Sequence, residues 1–190
     1  MKKSLLILSA LMALSMAFVG CKGGSDPVQD PAGEVTKNGI DYKNVYVVDY
    51  GSGSGSYNKN TGVISLGAGQ YKNVVIELSE PTDFSKGVKV KCSVSGYGLA
   101  ESAQGLKFVF ASDATIGKNS YGNDDIDGTD KCEGYPTFPA TPDVVEFKIE
   151  PKAAWGADNP ADLKKVNFIQ IAPQQCTGTF VVEWIEPITE

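Results

Sequence analysis

The sequence predicts an all-β, two-sheet antiparallel sandwich of jelly-roll type, and three observations carry the prediction. Short apolar alternations recur from about residue 44 to the C-terminus. They are separated by Gly, Pro, Asp and Asn, which favour turns over helix. The chain has 190 residues, with 21 Gly and 10 Pro among them, and leaves little uninterrupted length for helices. Many short half-apolar strands bury their faces best by stacking two sheets.

Eight strands are expected, over residues 45–50, 62–66, 71–78, 88–96, 106–112, 144–149, 166–172 and 179–185. In the fourth, Val88, Val90, Cys92 and Val94 alternate with Lys89, Lys91, Ser93, Ser95 and Tyr97. Side chains alternate across a strand, so the first row belongs to the core and the second to water or a ligand. Val145, Phe147 and Ile149 are likewise expected inside, with Glu146, Lys148 and Glu150 outside. In the last strand Phe180, Val182 and Trp184 alternate with Val181, Glu183 and Ile185, which predicts cover on both faces. One short helix is expected over Pro160–Lys165, with Asn159 as its cap and Pro160 in its first turn.

The N-terminus reads as an address. Lys2 and Lys3 precede an apolar run from Leu5 to Val19 that is too short to span a bilayer comfortably. The run closes on Phe18-Val19-Gly20-Cys21, which resembles the bacterial lipoprotein signal. The resemblance implies cleavage after residue 20 and acylation of Cys21. Residues 1–20 are then the signal peptide, 21–40 a lipidated flexible tether rich in Gly, Pro, Asp and Ser, and 41–190 the sandwich. It further implies a lipid-anchored protein at the bacterial outer membrane or cell surface. Lys22, rather than Asp, follows the cysteine and agrees with outer delivery.

Composition excludes several kinds of chemistry. The chain has no His, and all 17 basic residues are Lys, so it also has no Arg. Imidazole acid–base catalysis, His-containing triads and bidentate guanidinium clamps are therefore outside its repertoire. A net charge of −6 argues against nucleic acid as a partner. Three cysteines remain beyond Cys21. Cys92 falls in an apolar row and is expected as a buried thiol. Cys132 and Cys176 stand in the loop-like settings KCEG and QCTG and are the expected disulfide pair.

Asp162, Leu163, Lys165, Val166, Ile169 and Ile171, followed by Gly178, Thr179, Phe180, Glu183 and Ile185, resemble two motifs of galactose-binding-like carbohydrate-binding modules. Pro81–Val90 is similar to a strand entry of the same modules. The resemblance implies a non-catalytic protein that binds a neutral polysaccharide or glycan. Where those modules carry two consecutive acids in the last strand and hold a structural calcium ion, this chain has Glu183 followed by Trp184. Glu183 with Asp49 is the candidate remnant of such a site, the departure weakens or removes it, and a structural calcium ion is the candidate cofactor. A second metal candidate is the run 123–128, NDDIDG, with Asp125 and Asp127 at alternate places; a solvated acidic turn is the competing reading.

Sugars present CH-rich faces and hydroxyl rings, which proteins meet with aromatic platforms and polar groups. Tyr97, Tyr121, Tyr135 and Trp155 are the candidate platforms, and Lys91 and Gln170 the candidate polar contacts. Tyr121 and Tyr135 lie in a long segment, 113–142, read as a loop. Two other functions compete: a surface lipoprotein that binds a protein or partner enzyme without sugar, and a glycoside hydrolase built on two carboxylates.

Overall fold

The structure is a computed structural model that describes residues 39–190 except 49–54, 68–72, 100–104, 119–121, 123 and 175. In chain order the strands are β1 (Tyr42–Val48), β2 (Gly55–Tyr57), β3 (Ile64–Gly67), β4 (Asn73–Thr82), β5 (Val88–Leu99) and β6 (Gly105–Ser112). They continue with β7 (Thr115–Lys118), β8 (Asp124–Asp127), β9 (Lys131–Gly134), β10 (Asp143–Phe147), β11 (Val166–Gln174) and β12 (Cys176–Pro187). Every pairing between them is antiparallel. One sheet has the order β1-β4-β11-β6-β9 and the other β10-β5-β12-β3-β2. From β4 to β6, and again from β9 to β12, the chain crosses between sheets at every step. Apart from the consecutive pair β2 and β3, neighbours within these two sheets are thus distant in sequence.

The expected alternation builds the core. Val74, Ile76 and Leu78 of β4, Val88, Val90, Cys92 and Val94 of β5, and Phe108 and Phe110 of β6 are buried in one cluster with Ile169, Ile171, Phe180 and Val182. Val75, on the opposite side of β4, is also fully buried, because the hairpin β7–β8 folds over that face and packs Ala114 and Ile126 against Val75, Ala111 and Phe168. A strand covered on both faces reads as a continuous apolar run, and NVVIEL is one.

Two bulges set where side chains point. Gly96 has φ +65, and β5 spends three residues, from Gly98 to Ser95, where β12 spends two. That extra residue reverses the alternation. Tyr97 therefore lies against the buried Phe180, with ring centroids 6.1 Å apart and planes at 81°, and leaves the Lys89–Lys91 row that strict alternation assigned to it. In β12 the second bulge falls between Val182 and Trp184 and turns Ile185 inward, so Phe180, Val182 and Ile185 are the buried set.

The expected helix at 160–165 is instead a single turn. Lys165 N–H donates to Asp162 O at 2.9 Å and Lys164 N–H to the Asp162 carboxylate at 3.1 Å, after which β11 begins at Val166. One turn fixes several residues for very few bonds, so it does not grow into a helix here. Among the described residues there is no helix. The disulfide expectation is corrected as well: Cys132 and Cys176 are unbridged buried thiols, as is Cys92. Cys132 sits on β9 opposite Phe110 in one sheet and Cys176 on β12 opposite Leu99 in the other. Both cysteines belong to strands, and the loop contexts that suggested a bridge are absent.

Candidate functional site

After β9 the chain leaves one sheet, crosses the gap between sheets over residues 135–142, and enters β10 in the other. The crossing is held by Val94 N–H, which donates to Pro139 O at 2.8 Å. Phe138 inserts its ring between the sheets, 6.5 Å from Phe108 and 5.4 Å from Phe180. Beside this wedge opens a cavity of about 210 Å³, lined by Tyr97, Leu106, Tyr135, Thr137, Phe138 and Phe180. Two of the four expected aromatic platforms, Tyr97 and Tyr135, thus meet at one cleft. Tyr97 is 50% exposed there, so its ring offers a face to solvent.

Behind the cleft lies a polar knot that sequence reasoning missed. Glu133, only 8% exposed, accepts Lys107 Nζ at 2.6 Å on one carboxylate oxygen and the Tyr135 hydroxyl at 2.6 Å on the other. The backbone N–H of Trp155 donates to the same carboxylate. Burial pushes the Glu133 carboxyl up, but the bonds from Lys107 and Tyr135, the lysine charge and the Trp155 N–H together outweigh burial and hold it below its usual value. Burial and the bond to Glu133 push the Tyr135 phenol up, so it stays a protonated donor. A charged pair this dry is held by geometry and bonding, since desolvation alone opposes it.

The same knot presents Trp155. Glu150 N–H donates to Glu133 O, and Ala154 N–H to Lys131 O, both at 2.8 Å, so residues 150–154 run along the edge of β9. Ala157 N–H then donates to Ala154 O at 3.0 Å, with Gly156 at φ +75 in the third place of the turn, the place where a type II turn requires glycine. Trp155 stands at the corner and is 92% exposed. Its backbone is fixed on one side by a buried alanine and on the other by the carboxylate that also holds Tyr135.

The remaining expected site residues are not gathered here. Lys91 forms an ion pair with Glu183 at 2.8 Å on the other sheet, so a candidate ligand contact and a candidate metal ligand engage each other. Gln170 donates to Asp125 at 3.1 Å, tying β11 to the hairpin. Asp125 also caps the Ile126 N–H at 2.8 Å, and Asp127 pairs with Thr115 in β7. The run 123–128 is thus largely strand β8, where the sequence suggested a cation loop. Among the described residues no group of three or more His, Cys, Asp or Glu side chains is placed to hold a metal ion. Tyr121, Asp49, Cys21 and the signal and tether segments through residue 38 lie outside the described residues.

Neither a family model nor a curated protein matches the chain. Among solved structures, that of PfGH50B matches 73% of this chain at 12% identity and a TM-score of 0.37. This chain spans 22% of that protein's length.

Proposed function

We propose that the sandwich is a non-catalytic binding domain for a neutral polysaccharide or glycan, held at the bacterial outer surface by acylated Cys21 and the tether 21–40. The observation that carries the reading is the placement of Trp155. A large apolar ring is left in water on a turn whose backbone is fixed by Glu133, whose carboxylate also orients Tyr135 at the neighbouring cleft. Exposed rigid aromatics offer contact area at little entropic cost. In this reading the CH face of a pyranose packs on Trp155 or Tyr97, and the Thr137 hydroxyl at the cleft bonds its hydroxyls. The cleft selects no charge, because the carboxylate behind it is already matched by Lys107. Calcium is not invoked, since Asp125 and Glu183 are engaged by Gln170 and Lys91.

Affinity electrophoresis of the protein through gels containing neutral polysaccharides, with a glycan array beside it, tests the reading. Retardation is expected, abolished in Trp155→Ala and in Tyr97→Ala while the melting temperature of Trp155→Ala stays that of the parent. Absence of retardation on every glycan, with a protein partner captured instead, replaces the reading by a protein-docking one. Release of reducing ends replaces it by a hydrolase.

A further inference from the structure

On the opposite side of the sandwich, β1 and β2 are the edge strands of the two sheets, and a second cavity of about 320 Å³ opens between them. It is lined by Tyr42, Lys43, Asn44, Val45, Tyr57 and Lys59. Its makeup differs from that of the first cleft. Tyr42 and Tyr57 approach with ring centroids 6.3 Å apart and planes tilted by 50°. Lys43 Nζ and Asn44 Nδ2 each donate to Glu77 at 2.7 Å, which fixes both side chains and leaves the Asn44 carbonyl oxygen as an acceptor for a ligand hydroxyl. Lys59 stands in a tight turn fixed by Asn58, whose carbonyl accepts Gly62 N–H at 2.8 Å and whose side chain caps Asn60 N–H at 3.0 Å. Among the described residues Lys59 has neither a carboxylate nor a hydrogen-bond partner, in a chain whose net charge is −6.

We infer a second saccharide subsite at this edge, for a sugar residue that carries a carboxylate, with Tyr57 as the ring its apolar face packs on and Lys59 as its counter-ion. The inference rests on the glycan-binding reading and extends it to acidic sugars. An ammonium that lines the same cavity as two aromatic rings, and has no partner among the described residues, favours a ligand that brings both an anion and a CH-rich surface. A neutral sugar would leave the ammonium unused, and an inorganic anion would leave the rings unused.

Calorimetric titration of the protein with oligogalacturonate and oligoglucuronate tests this. Binding of one of them is expected, weakened about tenfold in Lys59→Gln and lost in Tyr57→Ala. It should persist within about twofold in Trp155→Ala, and weaken as salt rises from roughly 50 to 500 mM. Lys59 is exposed in its turn, so Lys59→Gln should fold like the parent, and circular-dichroism melting checks this. Equal affinity of Lys59→Gln and parent overturns the inference. Loss of acidic-sugar binding in Trp155→Ala also overturns it, since one site then serves both classes. If neither uronate binds while neutral-glycan retardation still depends on Trp155, the second subsite falls and the first reading stands.

Discussion

Two glutamates of the same sheet hold nearly the same partners in different surroundings. Glu77 on β4 accepts Lys43, the Asn44 amide and, at 3.3 Å, the Tyr46 hydroxyl. Glu133 on β9 accepts Lys107, the Tyr135 hydroxyl and the Trp155 N–H. The difference is water. The lysine side chain of the first pair is 61% exposed, and that of the second 15%. Screening and side-chain entropy make an exposed pair nearly worthless for stability, whereas breaking a dry pair leaves an uncompensated charge. One set of residue types therefore serves on the first side to orient polar groups in solvent, and on the second to brace two aromatic side chains.

The sharpest break of that contrast is Glu133→Ala. It strands the Lys107 ammonium and should lower the unfolding free energy by about 3 kcal/mol in urea titration. Glu77→Ala should move the same transition by only a small fraction of that, and equal losses would erase the distinction. Tyr135→Phe comes next, expected to cost roughly 1–2 kcal/mol because Glu133 loses a donor in a dry site. Tyr46→Phe at the longer, wetter bond should be nearly silent.

Acid acts on both pairs in the same direction, and with a smaller effect than truncation. Both carboxyls are held below their ordinary value, Glu77 chiefly by the bond from Lys43 and Glu133 by its donors acting against burial. Their contribution is present in full above that value and is lost as the pH falls through the lower, folded-state values. Thermal melts followed downward from pH 5 should therefore fall less steeply in Glu133→Gln and in Glu77→Gln than in the parent. The smallest effect is a silence. Burial, and then the Asp143 charge, pushes the Cys92 thiol up to about 12, and burial also raises Cys132 and Cys176. Maleimide should leave all three unlabelled in the folded protein at neutral pH and label them in urea. Labelling of only Cys92 in urea without reductant would restore the bridge corrected above.

The eight strands with apolar alternation were legible because burial of one face writes a period of two into the residues. β2 (GSY), β7 (TIGK), β8 (DDID) and β9 (KCEG) were not, since none carries two alternate apolar residues as the equally short β3 does in Ile64 and Leu66. That blindness hid the centre of the site. KCEGY reads as a loop, yet as strand β9 it sends Cys132 into the core and Glu133 away from it. Tyr97, Tyr135 and Trp155 could be singled out as aromatics in turn-rich settings, but nothing local announced that Lys107, on a strand 26 residues earlier, would meet Glu133. Gly96 shows the other limit. A glycine in a strand warns of a bulge, and the bulge alone decides whether Tyr97 joins the lysine row or the cleft.

The rings of Phe108, Phe138, Phe180 and Tyr97 form an unbroken series from the middle of the protein to the floor of the first cleft. A guest seated there touches the same wedge that spans the gap between the layers. Occupancy and folding are consequently one linked equilibrium: free ligand at a hundred times its Kd adds about 2.7 kcal/mol to the resistance against unfolding. Under the proposed function, a melting curve taken in the presence of each sugar becomes a census of what the cleft accepts, with no label and no immobilised partner.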